Sequence, residues 1–379
     1  MKVCGVICEY NPFHNGHAHQ LSRAKKLTNA DFLVCAMSGA FVQRGEPACL
    51  DKWTRAEAAL RGGADLVLEL PALFAVRAAQ DFAFGGVSLL DALGVVTHLS
   101  FGAENDDLAL LTRLSHPETA EESEKIRQGL AQGLSPPAAR AAALGVPTPP
   151  NVILAAEYLR ALQKLGSPIL PVPVKRDSEH RDETLHSMAS ATAIRAALRE
   201  GLDVSCAMPQ EVRALQLGAL PSPLPDLDGF SQTLLYILRT TPPDVLRDAY
   251  AIPEGLENRL CREAFEAADL NELLTRIACR RYSPARIRRL LVQMLLHLDA
   301  ETIRSHPQPE YARALGFRKS AAALLRAISE KSRLPLIVKA ADAPHNAMLR
   351  LDFAAQDVWD LLSGRPAHRD LTERLRILP

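Results

Sequence analysis

The chain predicts a doubly wound α/β fold, a parallel sheet covered by helices, followed by a mainly helical C-terminal domain. Three observations predict it. Over roughly the first hundred residues short apolar runs alternate with helical stretches, the pattern of βαβ units. The apolar runs stop at turn-forming residues, Asn11-Pro12, Ser38-Gly39, Pro71 and Gly102. Beyond a proline-rich stretch at 209–229 the chain is mostly helical, and 379 residues exceed a typical single domain. The expected division is an α/β domain at 1–205, a linker at 206–229 and a mainly helical domain at 230–379.

Each element follows from its local pattern. An apolar first strand breaks at Asn11-Pro12, and a helical pattern resumes near His17 with Leu21 and Ala24. Residues 31–37 read as a second buried strand, 51–60 as a helix stopped by Gly62-Gly63, and 64–70 as a third strand. A helix over 76–93 leads to a fourth strand at 95–101, closed by Gly102-Ala103-Glu104. Residues 108–144 are helical with proline breaks, and Asn151 suits the N-cap of a helix over 152–165 that Gly166 ends. The prolines of a fifth strand, 169–174, suit a sheet edge, and 177–185 is a charged loop. Another helix opens within 187–195. Helices are then expected at 230–239, 253–267, 271–279, 283–299 and 309–316, with a strand at 334–338.

Composition narrows the function. Lysine plus arginine equals aspartate plus glutamate at 44 each, so no global field draws the chain to RNA or to an anionic membrane. Any RNA contact requires a local patch. Seven cysteines without a Cys-x-x-Cys pair read as reduced thiols of a cytoplasmic protein, and Cys4 and Cys8 find no second pair to complete a zinc site. No apolar run reaches membrane-spanning length, and no protein partner is evident.

The sharpest local signal is His14-Asn15-Gly16-His17. Both histidines fall where a helix begins, where unpaired N–H groups and the helix dipole favour an anion such as phosphate. Gly16 lets the backbone approach a nucleotide, and imidazoles held by the fold can stabilise charge on α-phosphate oxygens during nucleotidyl transfer. Two histidines at this spacing also serve as metal ligands or surface groups. A second local feature is basic: Arg276, Arg280, Arg281, Arg286, Arg288 and Arg289 lie within 271–290 against the single acid Glu272, with Tyr282 among them to stack on a base or sugar. The same residues also read as a solvated helix face paired with Glu263, Glu266 or Asp269.

His14 to His17 after an apolar strand resembles the signature of the HxGH nucleotidyltransferase superfamily, which includes class I aminoacyl-tRNA synthetases. The longer string Glu9-Tyr10-Asn11-Pro12-Phe13-His14-Asn15-Gly16-His17 resembles the tRNA(Met) cytidine acetate ligase family. Ser190-x-Thr192-x-Ile194-Arg195 resembles the superfamily's second signature, although Ser190 is also a plain helix cap. Residues 38–47 look alike too, with Ala40 where the family leads one to expect Asn, and 177–180 lack an expected glycine-rich run. The resemblance implies a Rossmann-like ATP site made by Ile7, Cys8, Glu9, Tyr10, Asn11, Pro12, Phe13, His14, Asn15, Gly16, His17, Ala18, His19 and Gln20, with Gly102, Asn151, Arg176, Ser190 and Thr192. His14 and His17 are its catalytic residues. It also implies Mg2+ carried by ATP rather than by a protein cage, acetate as co-substrate, elongator tRNA(Met) as acceptor and N4-acetylation of the wobble cytidine. Arg276, Arg280, Arg281, Tyr282, Arg286 and Arg289 are the tRNA-contact candidates. Lys52, Arg44 and Arg55 either face the triphosphate or solvate their helix. A small-molecule adenylyltransferase and a non-catalytic RNA-binding protein on the same fold remain open alternatives.

Overall fold

Alternation along each strand decides how the sheet is covered. In β1 (Val3–Cys8), Val3 and Ile7 join one core while Cys4 and Val6 join another. In β2 (Phe32–Ser38), Val34 and Ala36 part in the same way from Leu33, Cys35 and Met37. Successive side chains of a strand point to opposite faces, so these two cores bury the sheet on both sides. Helices Asn15–Thr28 and Lys52–Arg61 supply Leu21, Ala24, Ala56 and Leu60 to one face. Helices Ala79–Ala92 and Pro150–Leu165 supply Phe82, Val87, Ala155 and Leu159 to the other.

The computed structural model describes residues 1–134, 136–176, 185–252, 255–279, 281–342 and 346–379. Arg280, most of the expected charged loop (177–184) and the first two residues of the helix expected at 253–267 lie outside the described residues. A small hairpin of β3 (Phe41–Val42) and β4 (Glu46–Pro47) stands off the main sheet. With β5 (Leu66–Leu70), β6 (His98–Ala103) and β7 (Leu170–Lys175), the central strands are all parallel in the order β5-β2-β1-β6-β7. The chain moves outward from β1 to β5 and then returns to the other side of β1 as β6. That reversal leaves a crevice at the carboxyl ends of β1 and β6, the place where such sheets bind ligands.

Three expectations are corrected. Residues 309–316 are not helical: β8 (Ala312–Arg318) runs antiparallel to β5, and β9 (Leu336–Ile337) and β10 (Arg376–Leu378) flank it in parallel. Ala, Arg and Leu there favour a helix by propensity, but burial overrides it, with Ala312 and Ala314 packing on one face of the sheet and Leu315 on the other. The segment 230–379 therefore combines helices with strands of the same sheet. Its helices Ser231–Thr240, Pro243–Tyr250, Leu256–Glu266, Leu270–Ile277 and Pro284–Leu295 share a core with Phe41 of the hairpin and with Trp359. The expected linker is also ordered: Gln210–Ala219 is a helix packed on Lys52–Arg61.

A buried ion cluster joins the two halves. Lys52 Nζ lies 2.8 Å from both Glu69 and Asp370, and Arg313 pairs with Glu69 at 3.0 Å and with Asp370. Two cations and two carboxylates thus compensate one another out of water. Lys52 accordingly neither faces a triphosphate nor solvates its helix.

Candidate active site

The turn after β1 is held in shape by its neighbours before any ligand is considered. Tyr10 adopts a positive φ of 48° with its ring buried and its hydroxyl 3.5 Å from Cys35 Sγ. Asn11 Oδ1 accepts the Cys49 N–H at 2.7 Å. Gln216, fully buried, clamps Phe13 by accepting its N–H at 2.9 Å and donating to its carbonyl at 2.8 Å. Arg55 donates to the carbonyls of Glu9 at 2.7 Å, Leu50 and Ser38 at 3.0 Å, and Gly39, so it ties the ends of β1 and β2 together. Arg55, expected to face a triphosphate or solvate its helix, is instead fully buried on these carbonyls, and Gln216 was not legible as a site residue because what it holds is a backbone group remote in sequence.

On this turn the two histidines cap their own helix. His14 is the N-cap of Asn15–Thr28; its Nδ1 accepts the Gly16 N–H at 3.1 Å, and His17 Nδ1 accepts the His14 N–H at 3.3 Å. This is a capping box built from imidazoles, and it assigns the tautomer of both neutral rings: with Nδ1 accepting, the proton sits on Nε2. The rings stack at 3.7 Å between centroids, and the edges of Tyr10 and Phe13 enclose His17. Burial, reinforced by the positive charges of Arg176 and Arg195, pushes the His14 imidazole down to about 3. His17 is also held well below the usual histidine range, first by loss of hydration as its ring is enclosed and then by His14 and Arg176. Gly16 has a nearer reason than the approach of a nucleotide, since a Cβ there would lie 2.9 Å from Cε1 of the His14 ring.

Other expected residues sort by placement. Ile7, Tyr10 and Phe13 spend their side chains in the cores, and Pro12 is buried, so these residues shape the turn. Cys8 is half-buried with its thiol near the Ala36 carbonyl, and Glu9, also half-buried, accepts the Gln43 N–H at 2.8 Å. Asn15 donates to the carbonyls of Ser187 and Cys206, tying the helix start to the segment that carries the second signature. Ala18 and Gln20 are half-buried on the helix, and His19 is exposed. The second signature does meet the first: Arg195, on helix Ala191–Arg199, donates to the Asn11 carbonyl at 2.8 Å and lies 3.7 Å from Glu46. Ser190 Oγ caps that helix by accepting the Ala193 N–H, and Thr192 stands half-buried in its first turn. Arg44 is half-buried in the hairpin turn, its charge within reach of Glu9.

Across the crevice, Arg176 follows β7 and lies over Gly102, where an added Cβ would meet its Cγ at 3.3 Å. Asn151 is not an N-cap. Pro150 occupies the first helical position, which suits proline, and the Asn151 amide is thereby free to donate to Glu104 Oε1 at 2.7 Å.

The arginine-rich segment divides. Arg276 pairs with Glu272 at 2.7 Å and Glu263 at 4.0 Å, Arg288 with Glu46 at 3.2 Å, and Arg289 turns to the Gln43 carbonyl. Tyr282 is not a stacking platform for a base, because its ring is buried in the helical core and its backbone bonds reciprocally with Cys279. Arg281 and Arg286 are exposed and lie over that ring, at 5.3 and 5.6 Å from its centroid, with no carboxylate in ion-pair range among the described residues.

The chain matches the HIGH Nucleotidyl Transferase family over residues 1–374. It is 36% identical to the tRNA(Met) cytidine acetate ligase of Thermoanaerobacter sp. (strain X514), over 95% of both chains, and 36% identical to that of Acetivibrio thermocellus, over 97% of both. Two crystal structures of Thermotoga maritima TmcAL, one apo and one bound with alpha-thio ATP, superpose over the full length of both chains with TM-scores of 0.90 and 0.88 at 32% identity. From its capping histidines to its last strand, the chain belongs to the tRNA(Met) cytidine acetate ligase family of HIGH nucleotidyl transferases.

Proposed function

We propose that this chain is a cytoplasmic ligase that uses ATP to activate acetate as acetyl-AMP and then acetylates N4 of the wobble cytidine of elongator tRNA(Met). The observation that carries the reading is the stacked pair of neutral imidazoles at the crevice between β1 and β6, each with Nδ1 taken by a backbone N–H. The names of the relatives support the acceptor, and the ATP analogue bound to the Thermotoga maritima protein supports the donor.

Activation is required because the oxygen of a free carboxylate is a poor leaving group. An acetate oxygen attacks the α-phosphorus, the bond from that phosphorus to the bridging oxygen breaks, and pyrophosphate leaves with the electron pair. Negative charge grows on the α-phosphate oxygens, and the Nε2–H donors of His14 and His17 meet it without reorganising. Arg176 and Arg195, whose charges both reach His14, add fixed positive potential. In the second step the cytidine N4 attacks the acyl carbon, the carbon–oxygen bond to phosphate breaks, N4 gives up a proton and AMP departs. Arg281 and Arg286 supply positive charge on an exposed face, with no carboxylate in ion-pair range among the described residues, suited to the phosphates of a tRNA. Among the described residues no group of three His, Cys, Asp or Glu side chains stands ready to cage a metal. When bound, the ion would ride on the triphosphate oxygens and offset their charge. Among the described residues no helix is long and apolar enough to cross a membrane.

Incubation of the purified protein with ATP, isotopically labelled acetate and tRNA(Met), followed by mass analysis of nucleosides, tests the reading. N4-acetylcytidine carrying the label is expected. Product formed only when acetyl-CoA replaces ATP and acetate would refute it.

A further inference from the structure

Among the buried polar atoms with no hydrogen-bond partner among the described residues, two follow the ends of the paired strands β6 and β7: Glu104 Oε2 and Arg176 Nε. Leaving such atoms unpaired is costly, and in native proteins they mark places where a ligand completes the bonding. They differ in kind. The arginine nitrogen donates and suits phosphate, whereas a carboxylate oxygen repels phosphate and takes a hydrogen-bond donor.

Glu104 is well placed for such a role. It follows β6 directly, its Oε1 is held by the Asn151 amide at 2.7 Å, and its charge reaches Arg176, which in turn acts on His14 and His17. The crevice thus runs from donors at the imidazoles, through Arg176, to an acceptor at Glu104. ATP has the complementary order, with acceptor-only phosphates at one end and donors only in the nucleoside, at the ribose hydroxyls and the adenine amino group. The ribose is bonded directly to the α-phosphate, while the amino group lies at the far side of the base. Resting on the reading above, we propose that Glu104 is a substrate-orienting residue whose Oε2 accepts a hydrogen bond from a ribose hydroxyl of ATP, with Asn151 fixing the carboxylate for that contact.

Calorimetric binding of ATP, 2′-deoxy-ATP, 3′-deoxy-ATP, inosine triphosphate and inorganic tripolyphosphate to wild type, Glu104→Ala and Glu104→Gln, without acetate or tRNA, tests this. A hydrogen bond to a charged acceptor predicts that the wild type binds one deoxynucleotide about 10-fold or more weaker than ATP. In Glu104→Ala, ATP should weaken by a similar factor, the discrimination should vanish, and tripolyphosphate should bind as before. Glu104→Gln keeps an acceptor for Asn151 and serves if the alanine variant does not fold; it should narrow the same discrimination. Discrimination that is absent in the wild type, or that persists in both variants, overturns the proposal. Discrimination against inosine triphosphate alone, lost in the variants, assigns the carboxylate to the adenine amino group instead and equally overturns it. A wild type that binds none of the nucleotides sinks the ATP reading rather than the role of Glu104.

Discussion

At the scale of single residues, His14 and His17 use one nitrogen each to close the helix and keep the other as a donor. Structure and chemistry thus fall on the same ring. His14→Ala should lower the rate of ATP–pyrophosphate exchange driven by acetate about 100-fold or more, the scale seen when one preorganised donor to a developing oxyanion is removed. The low pKa carries a second expectation. With His14 held to about 3 in the fold against an ordinary value of 6.5, the unfolded chain binds more protons than the native one between those limits. Stability should therefore fall as pH drops through that window, by up to about 1.4 kcal/mol per pH unit for this group. Denaturant melts at pH 7, 6 and 5 should show a shallower decline for His14→Gln. The motif was legible because its four residues are adjacent and its chemistry is local. The roles of Gln216 and Arg55 were not, since each is defined by a carbonyl or N–H supplied from elsewhere in the chain.

At the scale of elements, the hairpin Phe41–Pro47 is one place where the helical segment meets the α/β layers, beside the bond from Gln293 to the Val76 carbonyl. Gly45, with a φ of +75°, sits so close that a Cβ would lie 2.3 Å from the Arg289 backbone nitrogen. Glu46 receives both Arg195 and Arg288. Much of the arginine cluster thus serves this junction or local pairs, which leaves Arg281 and Arg286 for a polyanion among the described residues. Arg281→Ala and Arg286→Ala should each weaken tRNA binding and reduce the slope of log affinity against log salt by about 1, while leaving pyrophosphate exchange intact. Filter binding over a salt series checks this; unchanged affinity and slope would make the pair a solvated face. The first five main-sheet strands could be read because apolar runs bounded by turn residues announce buried strands. The helix Gln210–Ala219 could not, because its flanking prolines resemble a linker when one of them, Pro209, stands at the helix start. Likewise nothing in the expected helix 309–316 marks Arg313 as a buried cation until Glu69 and Asp370 are beside it.

At the scale of the whole molecule, the ion cluster of Lys52, Glu69, Arg313 and Asp370 makes the sheet one unit with the segment that follows the helices. Asp370→Ala leaves two buried cations sharing one carboxylate and should cost about 3–5 kcal/mol, the range for breaking a buried pair from one side. Urea unfolding should show a lowered midpoint in a single transition that includes the β1–β6 crevice, rather than a detached tail. A second tie runs alongside: Arg369 lies 3.4 Å from Asp51, 318 residues away along the chain. This has a bearing on biosynthesis. A ribosome that has made the imidazole pair and all five central strands has still produced no finished enzyme. Lys52 and Arg313 wait for their second counter-ion until codon 370 is read, and the nascent half-protein needs shelter from aggregation until then.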